Sequence, residues 1–189
     1  MKHLLILICL SQFAIPSSMP KLVVERANKY IYVRETTANR GIEVDYFNRT
    51  VGNPLGSFWC LGFIYTCHKE ASEINKVANP LLRTGRVAKL LKYATKFGTG
   101  LQVINPNLLG TDKVKLQVGD MGCLKSGGFK TSDIGKDWSG HIFLIDSVAK
   151  TPRTIEGNTN KQGSRNGDRV AKKYRKVNTV LAFIRISKG

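Results

Sequence analysis

The sequence of 189 residues is long enough for one domain with a substantial hydrophobic core. Its 42% apolar and 23% charged residues are typical of a globular protein, and it contains no internal repeat or low-complexity tract. Thirty Lys and Arg residues face 13 Asp and Glu residues, which gives a net charge of +17. Such a charge favours polyanions such as nucleic acid, anionic lipid or cell-wall polymers, but it is equally compatible with a surface that serves solubility alone.

Residues 1–19 have the features of a secretory signal peptide. Lys2 provides a short positive start, a hydrophobic run follows over residues 4–15, and Pro16-Ser17-Ser18 supplies a cleavage region. The run is too short to span a bilayer, so we expect residues 1–19 to be removed and the mature protein to be secreted or periplasmic, without a stable membrane span. A buried N-terminal helix is the alternative.

Residues 20–189 predict a single α+β domain. Apolar spacing and capping residues favour helices over residues 21–35, 41–51, 58–68 and 83–97. Alternation and β-branched residues favour strands over residues 115–117, 121–124, 141–148, 151–156, 170–176 and 179–186, with polar or glycine-rich loops at 126–128 and 159–167. Helices that precede a run of strands indicate helices packed on an antiparallel sheet of about six strands.

Cys60 is the best candidate for a nucleophile. The turn formers of residues 52–56 and a predicted N-cap at Ser57 precede a segment that is apolar on all sides, which indicates a buried helix with Cys60 in its first turn. A helix N-terminus lowers the pKa of a thiol and offers N–H groups to an oxyanion. Once residues 1–19 are removed, the chain has three cysteines, Cys60, Cys67 and Cys123, and this odd number leaves at least one thiol unpaired within one chain. Cys67 and Cys123 are better explained as core residues.

His141 is the best candidate for a base. It opens a predicted strand, and an even-numbered hairpin loop would place it on the same face as Glu156 and Asn158. A two-residue turn would put Glu156 opposite His141, whereas a loop two residues longer would put Asn158 there. Either side chain can accept the Nδ1–H of the imidazole and fix its tautomer. His68, the rival base, lies two helical turns from Cys60, too far for a hydrogen bond.

The order of these residues resembles the CHAP domains, papain-like cysteine amidohydrolases and peptidases of bacteria and phages. The resemblance extends over residues 22–186 and rests on the segments Gly56-Ser57-Phe58-Trp59-Cys60, Val118-Gly119-Asp120, Gly140-His141 and Glu156-Gly157-Asn158, with Val33-Arg34-Glu35 and Asn39-Arg40-Gly41 upstream. It implies a papain-like fold with Cys60 as nucleophile, His141 as base and Glu156 as the residue that orients it. Asn158 would support this set or complete the oxyanion site, and Asp120 would be structural. Leu61 stands where the family usually has a small residue, which leaves the shape of the cleft open.

The resemblance implies hydrolysis of amide bonds in peptidoglycan, as an N-acetylmuramoyl-L-alanine amidase or as an endopeptidase. Anionic wall polymers are a second expected partner, and we expect a monomer. We expect no cofactor and no metal, since no Cys or His spacing resembles a zinc site. Nucleic acid is not expected, since no nucleic-acid-binding motif is recognisable. Two alternatives stay open: a basic secreted module that binds cell wall or polyanions without catalysis, and a toxin delivered to rival cells.

Overall fold

The computed structural model describes residues 18–109, 115–127, 131–134, 136–160 and 167–187. The predicted signal peptide therefore lies almost entirely outside the described residues, and the two predicted loops at 126–128 and 159–167 are described only in part. The described chain has the predicted α+β architecture, with four helices and one open sheet of six antiparallel strands. The helices are α1 (Met19–Lys29), α2 (Ile42–Val51), α3 (Cys60–Asn75) and α4 (Val87–Ala94). The strands are β1 (Leu101–Ile104), β2 (Met121–Lys125), β3 (Gly140–Ser147), β4 (Arg153–Thr159), β5 (Arg169–Tyr174) and β6 (Ala182–Ile186).

The strands follow the order β1-β6-β2-β3-β4-β5 across the sheet. Helix α3 lies against β3 and β4, and α1 and α2 pack on α3. An aromatic cluster joins α2 to α3, since the ring of Phe47 stacks on Trp59 at 5.7 Å and meets Phe63 edge-on at 5.6 Å. Gly62 permits this close approach, because a Cβ atom there would lie 2.7 Å from the backbone oxygen of Phe47. The central helix is thus fixed firmly between the sheet and its neighbouring helices.

The predicted first helix, 21–35, is wrong at its C-terminal end, because α1 stops at Lys29. The residues that follow continue along the sheet edge: Val170 donates its N–H to the oxygen of Val33 at 3.0 Å, and Glu35 donates to the oxygen of Asp168 at 2.7 Å. These bonds cover the start of the outer edge of β5, where backbone groups would otherwise lie open. Tertiary pairing therefore overrides the local helical pattern.

One predicted strand is absent, and one observed strand was not predicted. Residues 115–117 form no strand, because the N–H of Gln117 donates to the carboxylate of Asp120 at 2.8 Å in a turn. Conversely, β1 is absent from the predictions. It has only four residues and pairs with β6 alone, so its sequence carries little periodic signal.

The predicted third and fourth helices are correct in place but not in extent. The third continues to Asn75, seven residues beyond the predicted end at His68. Ser57 is not its cap, since the capping position is Trp59 and no side chain caps it. The fourth covers only Val87–Ala94 of the predicted range 83–97. Thr84 accepts the N–H of Arg86 just before this helix begins.

Asp120 has the structural role that was expected of it. Its buried carboxylate accepts two hydrogen bonds from Arg185, at 2.7 Å each, and its backbone oxygen accepts the N–H of Ile145 at 2.8 Å. It therefore ties the turn before β2 to β6 and to β3. Among the described residues, no helix combines the length and the apolar character needed to cross a membrane.

Candidate active site

Cys60 is the first residue of α3. It is buried, with only 5% of its surface exposed to solvent. The first turn of the helix presents N–H groups that have no intrahelical acceptor. The positive end of the helix dipole therefore faces the thiol, as expected for a nucleophilic cysteine. Cys60, Cys67 and Cys123 are all free thiols within the described residues.

The other two cysteines lie in environments that oppose ionisation. Both are fully buried. Burial is the main cause that raises the pKa of Cys67 well above its usual value, and burial raises the pKa of Cys123 to about 12. These two thiols are therefore core residues, in agreement with the sequence analysis.

His141 lies on β3 and is bound to Glu156 on β4. Its Nε2 lies 3.0 Å from Oε2 of Glu156, and both side chains are fully buried. The prediction that Nδ1 makes this bond is wrong. Nδ1 is the ring nitrogen nearer to the histidine's own backbone, whereas a carboxylate on the neighbouring strand meets the outer nitrogen, Nε2.

The remaining ring nitrogen, Nδ1, is the one available to Cys60. It is buried and has no aligned hydrogen bond among the described residues. Burial lowers the pKa of His141, but the interactions of the ring with Cys60 and Glu156 outweigh burial and raise that pKa to about 9. The thiol and the imidazole are therefore neighbours whose bond is not aligned in the free protein, a common state of catalytic pairs before substrate binds.

The register of the β3–β4 hairpin is the one expected for the longer of the two predicted loops, the loop that would put Asn158 rather than Glu156 opposite His141. Leu144 lies opposite Ile155, and Ile145 lies opposite Thr154, with a register shift between Ile145 and Ser147. The ladder between the two strands ends at Leu144 and Ile155, so His141 and Glu156 meet across the end of the paired region rather than as direct partners.

The first turn of α3 packs against β4 beyond the end of this ladder. A Cβ atom on Gly157 would lie 2.8 Å from Cβ of Phe63 and from Cζ3 of Trp59. Only a residue without a side chain allows α3 to approach so closely. Gly157 thus brings the start of α3, and with it Cys60, to the strand that carries Glu156.

Glu156 is held by three side chains. Its Oε1 accepts hydrogen bonds from Nε of Arg175 at 2.7 Å and from Thr154 at 2.6 Å, and its Oε2 accepts from Nη2 of Arg175 at 2.6 Å besides facing His141. Burial raises the pKa of Glu156, but Arg175 and His141 together outweigh burial and lower it to about 2. Glu156 is therefore a carboxylate of fixed orientation. Sequence reasoning missed Arg175, one of 30 Lys and Arg residues with no motif to distinguish it.

Asn158 is bound to a neighbouring loop. It adopts a left-handed conformation (φ 54°), and its Nδ2 donates to Oδ1 of Asn39 at 3.2 Å, while its own Oδ1 has no partner among the described residues. Asn39 in turn donates its N–H to Glu35 at 2.8 Å, and Glu35 accepts the indole N–H of Trp59 at 2.7 Å. The loop between α1 and α2 therefore connects Asn158 to the residue that precedes Cys60, a network the sequence did not predict.

The rival base His68 lies in the body of α3. It is fully buried, its Nδ1 lies 2.8 Å from the backbone oxygen of Ile64, and burial lowers its pKa to about 4. It is therefore neutral near pH 7. Leu61 is also fully buried, so its side chain packs in the core.

One cavity in the described part of the chain lies away from these residues. It measures about 820 Å³, and its walls include Met19, Gln117, Asp120 and Arg185. Within the same residues, no three His, Cys, Asp or Glu side chains are grouped so that they could hold a metal ion. The chain matches no model of a known protein family, and no curated protein sequence matches it.

Proposed function

We propose that this chain is a cysteine hydrolase that cleaves amide bonds in bacterial peptidoglycan, with a papain-like arrangement of Cys60, His141 and Glu156. The observation that carries the proposal is the buried set of three groups: a thiol at a helix N-terminus, an imidazole beside it, and a carboxylate 3.0 Å from the far nitrogen of that imidazole. A nucleophile, a base and a group that orients the base are the parts that acyl transfer requires.

In the proposed reaction, the Cys60 thiolate attacks the carbonyl carbon of the amide, and the N–H groups of the first turn of α3 stabilise the negative oxygen that forms. The C–N bond then breaks, and the His141 imidazolium gives its proton to the leaving amine. Water attacks the resulting thioester while His141 takes one of its protons. The carboxylic acid is released, and the thiolate and imidazolium return.

Three features support peptidoglycan as the substrate. The order of the site residues resembles CHAP domains, the N-terminal sequence predicts export, and the net charge of +17 favours a wall rich in anionic polymers.

Whether the protein is an amidase or an endopeptidase depends on which bond is cut. Digestion of purified peptidoglycan, followed by mass spectrometry of the soluble fragments, distinguishes the two. We expect cleavage by the wild-type protein and none by Cys60→Ala.

The basic surface favours a second activity, binding to anionic wall polymers, with or without catalysis. Helix α4 buries its apolar side and exposes Lys89 and Lys92, and Lys96 lies exposed just after its end. None of the three faces a carboxylate within ion-pair distance among the described residues. If the chain is only a binding module, Cys60→Ala will bind wall as well as the wild type does, and neither will release fragments.

A further inference from the structure

We propose that Arg175 is a positioning residue that makes the buried site electrically neutral in its reactive form, and so sets the pH at which the Cys60 thiolate is formed. This inference rests on the proposed function only in taking Cys60 as the nucleophile. Arg175 directly follows Tyr174, the last residue of β5.

The geometry points to a role beyond simple packing. Arg175 uses two of its nitrogens, Nε and Nη2, to bind the two oxygens of Glu156 at 2.7 and 2.6 Å. Such a two-point bond fixes both the position and the plane of the carboxylate. Thr154 also donates to Oε1, so the carboxylate that binds His141 through Oε2 is fixed by groups that do not titrate near pH 7.

The four groups form a row of alternating charge when the site is active. Cys60 is negative as the thiolate, His141 positive, Glu156 negative and Arg175 positive, which adds up to zero. Without Arg175 the same row would carry a net negative charge in a site whose His141 and Glu156 side chains are fully buried. A buried site of net negative charge binds a proton more readily, and the Cys60 thiolate is the group that would take it up. The thiol would therefore keep its proton to a higher pH.

Other charged or titratable groups nearby do not replace Arg175. Lys173 on β5 contributes a second positive charge toward Glu156, but its ammonium group bonds the backbone oxygen of Asn160. Glu35 bonds the indole of Trp59, beside Cys60, and adds a negative charge on that side. Cys123 on β2 is kept neutral because burial raises its pKa to about 12. Arg175 is the group that matches the charge of Glu156 directly.

The test is the pH dependence of Cys60 alkylation by iodoacetamide in the full-length protein, which needs no substrate. We expect Arg175→Met to move the midpoint of this profile upward by about one pH unit, the lower end of the effect of a neighbouring charge. At a pH below both midpoints, Cys60 should then react about tenfold more slowly. Arg175→Lys keeps the charge and loses the two-point bond, and we expect less than half of that shift.

A matched control is available in the same sheet. Arg185 makes a comparable two-point bond to Asp120, and the two arginine side chains are 16% and 18% exposed. Asp120 bonds the Ile145 end of β3, four residues from His141, which is roughly 13 Å along a strand. Arg185→Met should therefore leave the midpoint unchanged.

The double variant Glu156→Gln/Arg175→Gln keeps the test decisive if Arg175→Met does not fold. It removes one negative and one positive charge together, so the remaining thiolate and imidazolium still add up to zero. The midpoint of its alkylation profile should therefore lie close to that of the wild type. An unchanged midpoint in Arg175→Met, an equal shift in Arg185→Met, or a double variant shifted upward by a full unit would each overturn the inference. A wild-type Cys60 that alkylates no faster than an ordinary thiol would instead overturn the proposed function.

Discussion

Replacement of Glu156 by glutamine removes one negative charge from the buried site and keeps the shape of the side chain. The amide can accept a hydrogen bond from only one of the two Arg175 nitrogens, so one N–H group of a largely buried guanidinium loses its acceptor. We expect two results: a lower free energy of unfolding and a lower pKa of His141. The second follows because burial alone lowers this pKa and the carboxylate is one of the two groups that raise it.

The loss of stability follows from the burial of the pair. Removal of one partner of a buried ion pair typically costs about 3–5 kcal/mol, and the 18% exposure of the Arg175 side chain favours the lower end, about 3 kcal/mol. Glu156 has a folded-state pKa of about 2 against 4.5, so its contribution is present above pH 4.5 and is lost as pH falls through 2. His141 has a folded-state pKa of about 9 against 6.5, so its contribution is present below pH 6.5 and is lost as pH rises through 9. The difference between wild type and variant should therefore be largest between pH 4.5 and 6.5.

Urea unfolding at several pH values measures the first effect, and NMR titration of the imidazole Cε1 protons measures the second. His68, with its pKa lowered to about 4, serves as an internal reference because it should not change. Asp120→Asn is the matched control, since it weakens another buried carboxylate–arginine pair and should lower stability without moving the titration of His141. If His141 in Glu156→Gln still titrates near pH 9, or if the stability difference is the same at all pH values, the electrostatic account of the site is wrong.

Three further predictions address the roles of single groups. Brief treatment with iodoacetamide near pH 7 should label Cys60 faster than Cys67 and Cys123, whose burial raises their pKa values, and peptide mapping that finds equal labelling would contradict the choice of nucleophile. His141→Ala should abolish turnover and keep the circular dichroism spectrum, whereas His68→Ala should lose stability and stay active; the reverse pattern in turnover assays would show that the base is misassigned. Binding to purified cell wall should weaken as salt rises, because exposed charges are screened within roughly 8 Å at physiological ionic strength, and binding that salt does not change would mean that the basic surface serves solubility.

The sequence was sufficient to predict the α+β class and the proximity of Cys60, His141 and Glu156, while the catalytic roles of these residues stay predictions. Each prediction rests on a local rule: a helix start behind a cluster of turn residues for Cys60, and strand alternation for His141 and Glu156. These rules survive tertiary packing because the helix and both strands are buried in the core, where a shift of one residue would turn apolar side chains outward.

The rest of the site depends on long-range contacts that local rules do not contain. Arg175 reaches Glu156 only because β5 pairs with β4, and the long side chain could equally have pointed to solvent. Glu35 reaches Trp59 because the chain leaves α1 early and runs along β5. The nitrogen of His141 that bonds Glu156 was also predicted incorrectly, because strand alternation indicates the face that each residue occupies but not which ring nitrogen reaches the neighbouring strand.

The most direct test of the central claim is mass spectrometry of the fragments released from purified peptidoglycan, with Cys60→Ala and Cys67→Ala compared in parallel. Both variants replace a buried, free thiol on α3, so they differ mainly in the role assigned to the cysteine. We expect the wild-type protein and Cys67→Ala to release fragments with a newly formed amine and carboxylate at one defined amide bond, and Cys60→Ala to release none. Fragments from Cys60→Ala at the wild-type rate, or none from a folded wild-type protein, would contradict the account.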